Sequence, residues 1–340
     1  MSRYKSLVPM VIIGTGIAMM CNSPKNSLKS KWHDILYKEE NVFILEDILK
    51  EERTYFEHIP PAVERSDSPE EDAIPIFNKQ IKHHVEDFLN IPEFENPRII
   101  SSRKNPKNLA LARTGLFIGC LSSLGAVGYL LLGRIRSSRQ IRERKRPSAY
   151  DIRSGIKGIF FGTMGLININ LSLNIYHSNN YIPDLNEVNI SYVNTNGGAI
   201  VDTPEKLAIV LTHEVTHSLQ YRPGIKIDST MKEGHAEGVA RNVGKILYDE
   251  TKDPAFVEQF RTYDRNAFAT IYIDICKDVN RKPNKELIRD LDSSLALEEH
   301  TIGFTLFAIR EHQWGDRIYR DVLEGDYCRI FHSPEEKICE

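Results

Sequence analysis

Residues 210–219 read Val-Leu-Thr-His-Glu-Val-Thr-His-Ser-Leu, and the spacing inside this stretch governs how the rest of the chain is read. His213 and His217 stand four residues apart, which on an α-helix places one above the other on a single face. Both imidazoles can then reach one zinc ion. Glu214, turned by one residue, is placed to hold and deprotonate a water bound to that ion. Val210, Leu211, Val215 and Leu219 are apolar, and Glu214 is the charged residue among them. A glutamate buried on an apolar helix without a partner is costly, so the pattern favours metal chemistry over a core helix with two hydrogen-bonded histidines. The helix has a start signal in Asp202 or Thr203 as N-cap, Pro204 in the first turn and Glu205 behind it. It is expected to end at Gln220, before Pro223.

Residues 231–241 read Met-Lys-Glu-Gly-His-Ala-Glu-Gly-Val-Ala-Arg and open a second helical stretch. Catalytic zinc takes three protein ligands and keeps one position open. Glu233 and Glu237 share a helix face at i and i+4. One can bind the metal while the other accepts a hydrogen bond from the far nitrogen of a ligand histidine, and the spacing leaves open which does which. His235 reads as a pocket-lining or surface residue, because a fourth ligand would close the site to water.

The segment Lys232-Glu233-Gly234-His235-Ala236-Glu237 is similar to the Asn-Glu-Gly-x-Ala-Glu segment that follows H-E-x-x-H in the aminopeptidase N-like branch of the gluzincin metallopeptidases. This resemblance implies His213, His217 and Glu233 as ligands of one zinc ion per chain, Glu214 as general base, and Glu237 behind a ligand histidine. Lysine stands where that branch has asparagine, and the His217–Glu233 connection is shorter than usual there; Glu237 is the alternative ligand. Residues 299–315, with His300 and Gly303, resemble the Tyr-x-x-Gly helix of the same branch, whose tyrosine donates to the oxyanion. The resemblance thus gives His300 that role, which an imidazole N–H can fill; Tyr221, Tyr263, Tyr272 and His312 are the other candidate donors. The likeness runs over residues 190–325. The Gly-x-Met-x-Asn strand that grips a free amino terminus in that branch has no counterpart here, so the expectation is peptide-bond hydrolysis, endo or exo undecided.

Around this region, residues 114–133 (TGLFIGCLSSLGAVGYLLLG) are uncharged and flanked by Arg113 and a run of arginines from Arg134 to Arg146. They read as a transmembrane helix, with Gly115 and Gly119 suited to helix packing. Residues 1–21 read as a signal anchor or first membrane helix, 22–113 as an acidic segment outside the membrane, and 134–155 as a basic juxtamembrane linker. The peptidase domain occupies 156–340, more readily on the cytoplasmic side. Its expected strands are 166–176, which alternates apolar and polar residues, and 187–193; helices follow at 230–249, 254–278, 284–312 and 315–324.

The 340 residues carry a net charge of −3, which gives no reason to expect a nucleic-acid partner, and no Gly-rich phosphate loop is present. The five cysteines allow at most one bridge, Cys328–Cys339. The expected fold is α+β: a zincin-like domain with a small sheet over the H-E-x-x-H helix and a helical C-terminal part, behind N-terminal transmembrane helices. The expected function is a membrane-anchored zinc metallopeptidase acting on a peptide or protein substrate, with the lipid bilayer as its other partner. The alternative is a membrane adaptor whose zincin-like domain is inert. Oligomeric state is not readable.

Overall fold

A computed structural model describes residues 32, 34–62, 69–101, 114, 116–128, 131, 160, 163, 165, 179–190, 203–221, 225, 227–291 and 298–339. In chain order these form α1 (Glu39–Glu57), α2 (Pro69–Ile76) with a π-helical turn at Phe77–Ile81, and α3 (Lys82–Leu89). Strands β1 (Arg98–Ser101), β2 (Asn180–Ile182) and β3 (Glu187–Ile190) follow. Then come α4 (Pro204–Gln220), α5 (Ser229–Thr251), α6 (Phe260–Asp278), α7 (Lys285–Ile288), α8 (Glu299–Trp314), α9 (Arg317–Glu324) and α10 (Cys328–Phe331). The described residues are mostly helical, which corrects the expectation of an α+β zincin-like domain. Of the expected strand at 187–193, residues 187–190 form β3 and 191–193 lie outside the described residues, as does the expected strand at 166–176.

The chain divides into two units, Met1–Ala62, Asp87–Asn90 and Leu219–Glu340 on one side, Val63–Glu86 and Ile91–Ser218 on the other. The first unit is helical. Its α5 and α8 cross where Gly234 faces Gly303: a Cβ at Gly234 would stand 2.3 Å from the Gly303 backbone, and one at Gly303 would stand 2.0 Å from the Thr230 carbonyl oxygen. Only residues without a side chain permit that approach. Around the crossing, Phe268 and Phe304 stack at 4.8 Å, and Leu45, Leu49 and Phe307 are buried. Each such side chain contributes about 1.5–3 kcal/mol by leaving water. Arg261 closes the end of α1, donating to the carbonyls of Phe56 and Ile59 at 3.0 and 2.9 Å, where a cation also meets the helix dipole favourably. Cys328 and Cys339 form a disulfide, the one pairing the sequence allowed.

The second unit holds the sheet, with β3 in the middle. β1 pairs with it in parallel, Arg98 opposite Glu187, and β2 antiparallel, Asn180 opposite Asn189. The β2–β3 connection turns at Asn186, whose φ of 48° lies in the left-handed region that asparagine tolerates. α4 begins after Thr203, whose hydroxyl accepts from Lys206 N at 3.2 Å. That settles the choice of N-cap between Asp202 and Thr203.

The membrane expectation is corrected as well. Among the described residues no helix is long and apolar enough to cross a membrane. Of the uncharged run at 114–133, residues 114, 116–128 and 131 are described, and all are helical. The expectation of an integral membrane protein, with its transmembrane helix and bilayer anchoring, therefore does not stand. Residues 1–21 and 134–155 lie outside the described residues.

Candidate metal centre

α4 presents His213, Glu214 and His217 from its buried side; each keeps less than a tenth of its surface exposed. The helix forms here because Thr203 caps it, Pro204 fits its first turn, and Leu207, Leu211, Val215 and Leu219 supply a buried apolar stripe. Thr212 and Thr216 turn their hydroxyls back to the carbonyls of Ala208 and Thr212, at 2.9 and 2.8 Å, so these polar side chains are satisfied within the helix. The i, i+4 spacing brings the two Nε2 atoms of His213 and His217 to 3.1 Å, with the rings nearly perpendicular. Two ring nitrogens this close share one proton or one cation between them.

α5 starts at Asp228, whose side chain accepts from Met231 N at 2.9 Å. One turn in, Glu233 meets the imidazole of His300 at the start of α8, Oε2 to Nε2, at 2.9 Å. The pairing depends on the glycine crossing, because Glu233 precedes Gly234 and His300 lies one turn before Gly303 on the same face.

His213, Glu233 and His300 form a group that could hold a metal ion: one donor atom from each lies within 4.8 Å of the others. Two imidazoles and one carboxylate are the donor chemistry of catalytic zinc sites that keep one position open, so the residues present suit that ion. The group differs from the expected ligands in one member. It contains His300, expected as an oxyanion donor, and does not include His217, which faces His213 on α4.

The remaining residues singled out from the sequence have distinct places. His235 is fully buried, which corrects its reading as a pocket or surface residue. Its Nδ1 lies 2.9 Å from Gln220 Nε2 and its Nε2 lies 2.9 Å from the Tyr319 carbonyl oxygen. The amide donates to Nδ1, so Nε2 carries the proton and donates to the carbonyl; the ring is neutral and structural. Glu237, one turn beyond Glu233, raises the pKa of both Tyr263 and Asp264 by its charge, adding in each case to the larger effect of burial. Tyr263 is hydrogen-bonded with the side chain of Thr301, next to His300. Tyr272 donates to Glu46 at 2.7 Å and accepts from Asn284 N at 2.8 Å, and His312 stands 4.0 Å from Glu51. Tyr221 is half-exposed under the Lys232 ammonium.

Sequence reasoning missed the Glu233–His300 pair. Its signal was present in the two helical glycines that follow these residues, Gly234 one position after Glu233 and Gly303 three after His300, since an internal helical glycine commonly marks a close crossing. Compared with models of protein families, with curated proteins and with solved structures, the chain matches none.

Proposed function

We propose that this chain is a zinc-dependent hydrolase of peptide bonds, with one zinc ion per chain. The observation that carries the proposal is the donor group itself, two imidazoles and a carboxylate within 4.8 Å, with Glu214 next to one of its members on the buried side of α4. His213 and Glu233 would hold the ion. The third donor would be His217, as the helical spacing suggests, or His300, as the donor group suggests. When bound, zinc acts as a Lewis acid, bringing the pKa of water to about 7 and polarising a carbonyl.

The chain's own residues supply the rest. Glu214 takes the proton of the attacking water and passes it to the leaving amine. Where His217 serves the metal, His300, whose Nε2 is held by Glu233, would donate from its other ring nitrogen, Nδ1, to the developing oxyanion. Glu237 tunes the electrostatics of this region through Tyr263 and Asp264. The substrate is a peptide or protein.

The test is cleavage of a mixed peptide library by the zinc-loaded chain. Cleavage abolished by a chelator, restored by zinc and lowered about 100- to 10,000-fold in Glu214→Gln supports the proposal. Equal cleavage by wild type and Glu214→Gln, or none by a zinc-loaded wild type, overturns it. The competing reading is an inert binding domain, favoured by the 2.9 Å Glu233–His300 contact, which gives the carboxylate an imidazole partner without a metal.

A further inference from the structure

A cavity lies within the helical unit, against α1, α5 and α8, with a volume of about 420 Å³. This is the size of a small-molecule site. Its walls carry Glu51, Glu52, Arg241, Lys245, Glu311 and Asp316. We propose that it binds a small organic polycation of the polyamine class.

The charge arrangement carries the argument. Both cations of the wall are already turned onto one carboxylate: Arg241 pairs with Glu52, and Lys245 Nζ lies 2.7 Å from the same Glu52 oxygen. Arg241 also faces Glu311 at 3.4 Å and Asp264 at 3.5 Å. An anionic ligand would have to break these contacts in a site where unpaired charge is costly. The other carboxylates are differently placed. Glu51 and Asp316 stand at the rim, 67% and 57% exposed, and their nearest cationic partners, His312 and Arg320, are both at 4.0 Å. Four carboxylates against two engaged cations leave the cavity negative, and low-dielectric walls concentrate that field.

A second observation points to a ligand with hydrogen-bond donors. Glu52 is 3% exposed and its Oε2 has no hydrogen-bond partner, and neither does the hydroxyl of Tyr55 beside it on the wall. Buried acceptors of this kind are satisfied in nearly all folded proteins. Ammonium N–H groups satisfy them, and a methylene chain suits the apolar surface of Ile48 and Ala308 between the carboxylates. A bare divalent ion suits the site poorly, because the Arg241 guanidinium sits among the carboxylates that would ligate it. More than one ammonium is called for, since the free carboxylates come from α1 and from the turn after α8.

The experiment is calorimetric titration of the full chain with spermidine, beside putrescine and magnesium chloride at matched ionic strength. The expected result is saturable one-to-one binding of spermidine. The Glu51→Gln/Asp316→Asn double variant, altered only at exposed rim positions and with an unchanged melting curve, should bind about tenfold more weakly or worse. No saturable heat with wild type, an equal response to magnesium, or undiminished binding by the double variant overturns the proposal. Binding lost in Glu233→Ala but kept in the double variant would put the amine at the metal group and overturn it as well.

Discussion

The Glu233 carboxylate lies 2.9 Å from Nε2 of His300, and both residues lie within a turn of the Gly234–Gly303 crossing, where the backbones of α5 and α8 approach closely. The Gly234–Gly303 crossing is therefore part of the candidate site. A Gly303→Ala substitution inserts a methyl 2.0 Å from the Thr230 carbonyl oxygen. It should cost roughly 2–3 kcal/mol by overpacking and separate Glu233 from His300. Urea unfolding measures the first effect, as a lower midpoint at unchanged slope. Zinc affinity, if the ion binds, measures the second and should fall in parallel.

Glu52 sets an acid limit on the first unit. Burial alone would raise its pKa, but Arg241 and Lys245 together overcome this and hold it at about 2. A carboxylate whose folded pKa is depressed contributes stability that is fully present above its unfolded value, near 4.5, and is lost as pH falls toward 2. The contribution is on the order of 3 kcal/mol. Buried Asp264 acts in the opposite sense: its pKa is raised, so its neutral form is favoured and acid does not harm it. Stability measured from pH 6 to pH 2 should drop across this window in wild type. Glu52→Gln should lower stability near neutrality, because it leaves Arg241 and Lys245 without their shared anion, and should flatten the acid limb. An unchanged acid limb in that variant would contradict the assignment.

The Cys328–Cys339 bridge closes a short loop, with a sequence separation of 11. In the chain-entropy account a loop of this size is worth roughly 2–3 kcal/mol through the unfolded state. Reduction, or Cys328→Ser, should lower the unfolding free energy by about that amount and leave metal binding unaltered, since neither cysteine belongs to the donor group.

How much of this was legible depends on range. The bounds of α4 could be read from Thr203, Pro204 and the apolar spacing to Leu219, because caps and periodicity act within a few residues. The expected helix at 230–249 lies within α5, Ser229–Thr251, whose cap is Asp228. The sheet was half visible. β3 announced itself, but its parallel partner β1 comes from 89 residues upstream, at Arg98, inside the segment read as acidic and outside the membrane. His235 misled because a polar side chain beside the glutamates reads as facing a pocket or solvent; its two hydrogen-bond partners, Gln220 and Tyr319, are set by tertiary packing. The run at 114–133 misled because absence of charge was read as a span, whereas among the described residues no helix is long and apolar enough to cross a membrane. The Glu52–Arg241 pair joins residues 189 positions apart, and no local pattern encodes such a contact.

The most direct test of the central claim is zinc per chain, measured by atomic emission on the purified full chain. Wild type is compared with His213→Ala, His217→Ala, Glu233→Ala and His300→Ala, each checked for folding by circular dichroism. The account predicts close to one zinc per wild-type chain, lost with His213→Ala and with Glu233→Ala, and lost with one of the other two histidines, which identifies the third donor. A well-folded wild type that takes up no zinc, or zinc uptake indifferent to His213→Ala and Glu233→Ala, would contradict it.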